Sequence, residues 1–155
     1  MLLCLIVMVL TVFADQATKL LTLEYLTDAP VKLIPDVLHL TYVENKGAAF
    51  GMLADHRWVF IIISTVAIIA LVAYLFIKKP KDKLLCISLA LIAGGGIGNM
   101  IDRVFRGFVV DMIDFTLIDF YVFNVADSAV CIGCGLLILY MILDEIRTKR
   151  EKTGA

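Results

Sequence analysis

The chain has 155 residues, of which 61% are hydrophobic and 19% are charged, and its mean hydropathy is +0.95. This apolar content exceeds that of an ordinary soluble domain of the same length, so the composition argues against a soluble enzyme and indicates an integral membrane protein. The formal net charge of −1 provides no basic excess, and we expect no nucleic-acid partner.

Four apolar segments are long enough to cross about 30 Å of hydrocarbon as helices. The predicted transmembrane helices cover about residues 1–22, 58–77, 84–101 and 122–143. The first segment, followed by Ala14 and Asp15, also has features of a cleaved signal peptide. No Lys or Arg precedes its apolar run, however, so we expect it to be retained as a helix.

Basic residues indicate the orientation of these helices. Residues 78–83 read K-K-P-K-D-K, and four more basic residues follow the fourth segment: Arg147, Lys149, Arg150 and Lys152. The positive-inside rule predicts that both stretches, and with them both termini, are cytoplasmic. The loops of about 23–57 and 102–121 then lie outside. No repeat or linker divides the chain, so residues 1–155 are predicted to form one membrane domain.

The two outer loops contain segments that alternate in hydrophobicity and are rich in β-branched and aromatic residues. These segments, 37–43 and more weakly 108–115, predict a small β-sheet on the outer membrane surface. Gly94 and Gly98 have the small-x-x-x-small spacing that predicts close packing of the third helix against a neighbour. The expected fold is therefore an all-α integral membrane protein with a small extracytoplasmic sheet.

Several polar side chains lie inside the predicted helices, where a charge costs at least about 2.5 kcal/mol on insertion scales. They are Asp15 and Lys19 in the first helix, Asn99, Asp102 and Arg103 at the end of the third, and Asn124 and Asp127 at the start of the fourth. The predicted topology places all of them at one depth, towards the outer leaflet. Each alone admits a structural role, but their convergence favours a single functional site.

Several other catalytic chemistries lack the residues that they need. Ser64 and Ser88 lie in mid-helix without a nearby base, and Ser128 has no G-x-S-x-G context. The H-E-x-x-H zinc motif is absent, and we expect no metal and no cofactor. The four cysteines are expected to pack as small hydrophobic side chains rather than to serve a redox or metal site: Cys4, Cys86, Cys131 and Cys134.

Paired carboxylates remain as a catalytic chemistry for the polar layer. Two Asp side chains facing one water can share a proton, because like charges a few ångströms apart raise one pKa. The ionised member then removes a proton from water, and the protonated member gives one to the substrate carbonyl oxygen. Helix position places Asp127 in the polar layer. The sequence alone leaves four candidates for its partner: Asp102, Asp111, Asp114 and Asp119.

Five motifs carry a resemblance to a known family. They are D-Q-A-T-K from Asp15, N-K-G-A-A-F from Asn45, G-G-G-I-G-N-M-I-D-R from Gly94, V-V-D ending at Asp111 and F-N-V-A-D ending at Asp127. In this order, the motifs resemble the signature blocks of bacterial lipoprotein signal peptidase, also called signal peptidase II. One departure is the absence of the basic leader that is common in relatives.

The resemblance implies an aspartyl endopeptidase that removes signal peptides from prolipoproteins, cutting before a cysteine that carries a diacylglyceryl group. Its pattern assigns the catalytic pair to Asp111 and Asp127. It also implies substrate-binding or dyad-supporting roles, without dividing them, for a further set: Asp15, Lys19, Asn45, Asn99, Arg103 and Asn124.

The resemblance further implies a small extracytoplasmic sheet and a short periplasmic-side helix over the site. The expected partners are the lipid-modified prolipoprotein and membrane lipid, and the expected state is a monomer in the bacterial cytoplasmic membrane with its active site towards the outer leaflet. Two alternatives use the same residues differently. One is a small transporter or lipid-binding module in which the acidic layer is an ion site, and the other is a purely structural membrane subunit.

Overall fold

A computed structural model describes residues 1–47, 57–118 and 120–153. Four helices dominate it: α1 (Leu2–Tyr25), α2 (Arg57–Lys78), α3 (Lys83–Phe105) and α4 (Val125–Thr153). Each is long and apolar enough to cross a membrane. The predicted fold of four transmembrane helices is thereby confirmed.

All four helices extend beyond their predicted C-terminal ends, and the difference is largest in α3 and α4. α3 continues to Phe105 and takes Asp102 and Arg103 out of the predicted outer loop. α4 continues about ten residues past the apolar run, to Thr153. Charged residues there are good helix formers, and the Lys149 ammonium lies 2.7 Å from the Glu145 carboxylate one turn earlier. Hydrophobicity therefore marked the membrane span but not the helix end.

α3 is the central helix and contacts α1, α2 and α4. Its glycines allow these neighbours to approach closely, because a Cβ atom at Gly94 would lie 2.9 Å from the Thr11 side chain of α1. A Cβ atom would also collide at two further glycines: at Gly95 with the Ala126 carbonyl of α4, and at Gly98 with the Asp15 carboxylate of α1. The close packing predicted from the glycine spacing is confirmed.

An apolar cluster joins the helices at the end of the bundle that holds the N-terminus and the α2–α3 connection. We call this end, centred on Cys4, Leu75 and Leu89, the opposite end, because it lies away from the end that carries the β-sheet and the site residues. Cys4 and Cys86 form a disulfide between α1 and α3, with Cα atoms 5.5 Å apart. The expectation that these two thiols are unpaired was wrong, because a separation of 82 residues gives no indication of pairing in the sequence.

A three-stranded antiparallel sheet lies at the other end, which we call the site end. Its strands are β1 (Val31–Ile34), β2 (Leu38–Asn45) and β3 (Val109–Asp114), in the order β1-β2-β3. The sheet predicted from residues 37–43 and 108–115 is confirmed, and β1 was missed because it is only four residues long. A 3₁₀ turn follows at Thr116–Ile118. The prediction of a short periplasmic-side helix in the outer loops stays a prediction, because residues 48–56 of the first outer loop lie outside the described ranges.

Candidate active site

Strand β3 carries Asp111 into the interior at the site end. Val109, Val110, Asp111 and Met112 are all buried, although consecutive strand residues point to opposite faces. β3 pairs with β2 along one edge and packs against the helices α1 and α3, which contribute to the burial of its side chains. The buried, mostly apolar segment of β3 therefore contains one carboxylate, that of Asp111, which is only 1% exposed.

The first turn of α4 carries the second carboxylate, that of Asp127. The Asn124 side-chain oxygen accepts from the Asp127 backbone N–H at 2.8 Å, and the Asp127 carboxylate accepts from the Asn124 backbone N–H at 3.3 Å. This reciprocal arrangement is a capping box, which satisfies two N–H groups that a helix start leaves unpaired. It fixes the Asp127 side chain at the positive end of the helix dipole.

Asn124 also connects the two carboxylates. Its side-chain NH₂ donates to Asp111 Oδ1 at 2.6 Å and to Asn99 Oδ1 at 3.0 Å. The Asn99 NH₂ group donates in turn to Asp127 Oδ1 at 2.7 Å. The connection is possible because a pair of backbone bonds between Phe123 and Ile113 docks the start of α4 onto β3.

The surroundings of Asp111 raise its pKa to about 6. Burial is the main cause, and the neighbouring Asp127 carboxylate adds to it. Hydrogen bonds from Asn45, at 2.9 Å to Oδ2, and from Asn124 act in the opposite direction. Asp111 is therefore poised to exchange a proton near neutral pH, as a carboxylate in an acid–base pair must.

A buried ionic network lies beneath the two carboxylates. Lys19 Nζ is 2.9 Å from Asp15 Oδ2, 3.1 Å from Asp102 Oδ2 and 2.9 Å from Asn99 Oδ1. The side chains of Lys19, Asp15 and Asp102 are fully buried. Asp102 also forms an ion pair with Arg106, one turn later on α3. The network joins α1 to α3, and the Asn99 contact of Lys19 connects it to the carboxylate of Asp127.

Arg103 supplies a positive charge beside the paired carboxylates. Its guanidinium donates to the Asn99 and Gly47 carbonyl oxygens, each at 3.4 Å. The charges that act on it are those of Asp127, Asp111 and Asp102. The described residues contain no group of three or more His, Cys, Asp or Glu side chains arranged to hold a metal ion.

The structure brings together all eight residues that the sequence analysis selected for the site. Their roles remain predictions. Among the other candidates for the partner of Asp127, Asp102 is engaged by Lys19 and Arg106, and Asp114 lies opposite His39 at the far end of β3. Asp119 lies outside the described residues. Of the three candidates that the structure describes, Asp111 is the one bridged to Asp127 through Asn124.

Gln16 and Arg106 join the site without having been selected for it, and Asp102, already placed in the polar layer, makes a backbone contact that the sequence did not indicate. Gln16 donates to Asp15, to Asp102 and to the Gly98 carbonyl at 3.1–3.3 Å. Asp102 accepts a hydrogen bond from the Val110 N–H at 3.0 Å. The spacing of Arg106, four residues after Asp102, was a readable signal for that ion pair. No local pattern indicated the bond to Val110.

Comparison with known proteins places this arrangement in a family. A family model described as signal peptidase (SPase) II matches residues 7–143. The lipoprotein signal peptidase of Halalkalibacterium halodurans is 44% identical over 153 residues, covering 96% of this chain and 97% of the relative. The lipoprotein signal peptidase of Brevibacillus brevis is 47% identical over 131 residues, covering 84% of this chain and 88% of the relative.

Solved structures agree with these relatives. A bacterial membrane enzyme determined by the in meso method at 2.3 Å resolution superimposes with a TM-score of 0.84 at 34% identity, covering 92% of this chain and 88% of the other. A second, at 1.9 Å resolution, gives a TM-score of 0.80 at 34% identity over 89% of this chain and 91% of the other. The similarity therefore extends over the helices and the sheet together.

Proposed function

This chain belongs to the signal peptidase II family, and on that premise we propose that it removes signal peptides from diacylglyceryl-modified prolipoproteins by an aspartyl mechanism. Family membership confirms the resemblance drawn from the five motifs and makes the chain a membrane protease. The relatives named above are peptidases, so the transporter or ion-site alternative is not favoured.

One observation supports the aspartyl mechanism above all others. Asp111 of β3, which is buried, and Asp127 of α4, which is partly buried, come from separate elements and meet at Asn124. The Asn124 side chain donates to the Asp111 carboxylate, and its backbone N–H donates to the Asp127 carboxylate. Buried carboxylates in a membrane protein are costly and need a functional return. We infer that Asp111 and Asp127 form the catalytic dyad.

The dyad acts as a unit that shares one proton. The ionised carboxylate takes a proton from a water molecule, whose oxygen attacks the scissile carbonyl carbon. The protonated carboxylate gives its proton to the carbonyl oxygen, which forms a tetrahedral diol. In the collapse of this diol, one carboxylate gives its proton to the leaving amine of the new N-terminus while the other takes a proton from a diol hydroxyl, so the dyad again holds one proton. Each carboxylate accepts two N–H bonds. Because the two carboxylates interact, the apparent pKa values belong to the pair.

The surrounding polar residues orient the dyad and the substrate. Asn45 and Asn124 hold the two oxygens of Asp111, and Asn99 holds Asp127. Arg103 is close enough to both aspartates for its charge to stabilise the oxyanion that develops during attack. The chemistry then needs no residue outside this chain.

The location of the site suits a lipid-modified substrate. Basic residues concentrate at the opposite end, where Arg147 Nη1 lies 3.4 Å from the Asp82 carboxylate. By the positive-inside rule that end is cytoplasmic, and the dyad lies towards the outer leaflet of the bacterial cytoplasmic membrane. The acyl chains of the substrate then stay in hydrocarbon beside surrounding lipid while its scissile bond reaches the polar site. We propose that a monomer is sufficient.

A cleavage assay tests this function. Purified protein in detergent is expected to cleave a diacylglyceryl-modified prolipoprotein directly before the modified cysteine, and not the unmodified precursor. Asp111→Asn and Asp127→Asn are each expected to abolish cleavage. Asp114→Asn is the matched control, because it removes a carboxylate from the same strand at a position opposite His39. Cleavage by either dyad variant at the wild-type rate would contradict the assignment.

A further inference from the structure

Two carboxylates that the proposed mechanism does not use contact the backbone directly beside the dyad. Asp102 Oδ2 accepts from the N–H of Val110, the residue before Asp111, at 3.0 Å. Asp15 Oδ1 accepts from the N–H of Ala126, the residue before Asp127, at 2.9 Å. The two dyad aspartates are thus each preceded by a backbone amide that a buried carboxylate holds.

Both amides need such an acceptor. β3 has a neighbouring strand on one side only, so an N–H on its other side lacks a ladder partner. Ala126 is the second residue of α4, and the first four N–H groups of a helix have no intrahelical acceptor. Val110 and Ala126 are both fully buried, where an unpaired N–H is costly. The carboxylates therefore fix the backbone as well as balance charge.

Lys19 connects the two carboxylates. Its ammonium has three N–H donors, and three acceptors lie within 2.9–3.1 Å: Asp15, Asp102 and Asn99. The third contact has its own consequence. Since the Asn99 oxygen accepts from Lys19, the Asn99 NH₂ group is directed to Asp127, 2.7 Å away. One ammonium thus has a short connection to each aspartate of the dyad.

We propose that Lys19 is a positioning residue that sets the geometry of the dyad, acting through Asp102 on the Val110 amide and through Asp15 on the Ala126 amide. This inference rests on the proposed function only for the identity of the dyad. Lys19 is fully buried beneath the aspartates, so it acts on their placement rather than on substrate binding. Its loss is expected to lower kcat and leave KM nearly unchanged.

The first experiment removes the ammonium while keeping an unbranched apolar side chain. Lys19→Met is expected to lower kcat about 100-fold, the effect of a shift of roughly 1 Å in a catalytic group, with KM within about threefold of wild type. Thr22→Val is the matched control. Thr22 is buried on the same helix, and its hydroxyl bonds to the Thr18 carbonyl of that helix. This control is expected to keep both constants.

Two variants of Asp102 keep the test decisive if Lys19→Met does not fold, because both variants leave Lys19 paired with Asp15. Asp102→Leu removes the acceptor for Val110 and is expected to lower kcat about 100-fold. Asp102→Asn can keep an oxygen facing Val110 and Lys19. Its NH₂ group then replaces the oxygen that accepts from Arg106 and Gln16, and Arg106, which is partly exposed, can turn away from it. It is expected to recover most of the kcat that Asp102→Leu loses.

The outcomes separate this inference from the proposed function. Wild-type kcat in Asp102→Leu, equal losses in Asp102→Asn and Asp102→Leu, or a rise in KM with unchanged kcat would each overturn the positioning role. None of these results affects the dyad assignment, which depends on Asp111→Asn and Asp127→Asn. Activity in those two variants would instead overturn the proposed function while leaving the contacts of Lys19 intact.

Discussion

The two ends of the α1–α3 contact are held by different chemistry. At the opposite end, Cys4 and Cys86 meet within an apolar cluster that includes Leu89 and Ala90. At the site end, the same two helices meet through Lys19, Asp15 and Asp102, all fully buried.

The comparison indicates what the ionic contact is for. Apolar packing joins α1 to α3 at one end, so stability alone does not require charges at the other. A buried ion pair is a weak source of stability, since the desolvation of its members offsets their attraction. The same groups contact the backbone beside the proposed dyad. We interpret the opposite end as a structural anchor and the site end as a device for positioning.

The largest effect on activity is expected from Asp111→Asn. Loss of one member of an acid–base pair should lower kcat by about 10³-fold or more. The thermal midpoint in detergent should stay the same or rise, because the variant removes a buried carboxylate beside Asp127. A fall in activity that parallels a fall in thermal midpoint would instead make Asp111 a structural residue and remove the contrast between the two ends.

A smaller loss is expected from Gly98→Ala. The new methyl group would collide with the Asp15 carboxylate and displace the group that holds the Ala126 amide. We expect kcat to fall roughly 10- to 100-fold and stability to fall by about 1–3 kcal/mol. Gly135→Ala on α4 is the control, since no described atom outside the local backbone of α4 lies within 4 Å of its added Cβ. Equal effects of the two variants would show that general helix packing, not the site, is disturbed.

The pH dependence of cleavage is expected to shift in Asn45→Ala. The active dyad carries one proton, so kcat/KM should fall as pH rises through the apparent pKa, which lies near the value of about 6 for Asp111. The Asn45 hydrogen bond lowers the pKa of Asp111, so its removal raises that pKa and moves the alkaline limb to higher pH. Tyr42→Phe, which changes a hydroxyl bonded to Glu44 on the same strand, should leave the limb in place.

The smallest effect on activity is expected from Leu89→Ala at the opposite end. Leu89 is buried in the apolar cluster, and its truncation should lower stability by roughly 2–5 kcal/mol. The kcat of the protein that remains folded should equal that of wild type, because no described contact links Leu89 to the dyad. Thermal midpoints together with rates measured well below them check this. A selective loss of kcat would show that the two ends are coupled.

Local sequence patterns were sufficient for the membrane helices and for part of the site. Apolar runs located α1 to α4, and alternating residues located β2 and β3. Asp15, Lys19 and Asp127 were recognisable because a charge inside an apolar helix needs a reason. Each of these signals is local in the chain, because hydrophobic periodicity is read in windows of roughly 11–18 residues.

Contacts between distant segments were decided only by the tertiary structure. The disulfide joins residues 82 apart, and Asp15 accepts a bond from an amide 111 residues later. The sequence alone left Asp102, Asp111, Asp114 and Asp119 as equivalent partners for Asp127, and only the motif resemblance selected Asp111. Packing of β3 against α1 and α3 distinguishes Asp111 from Asp102 and Asp114, because it buries Asp111 beside Asn124 while Lys19 and Arg106 engage Asp102. Periodicity shows which face of an element is apolar, but the partner of a polar group depends on which elements meet.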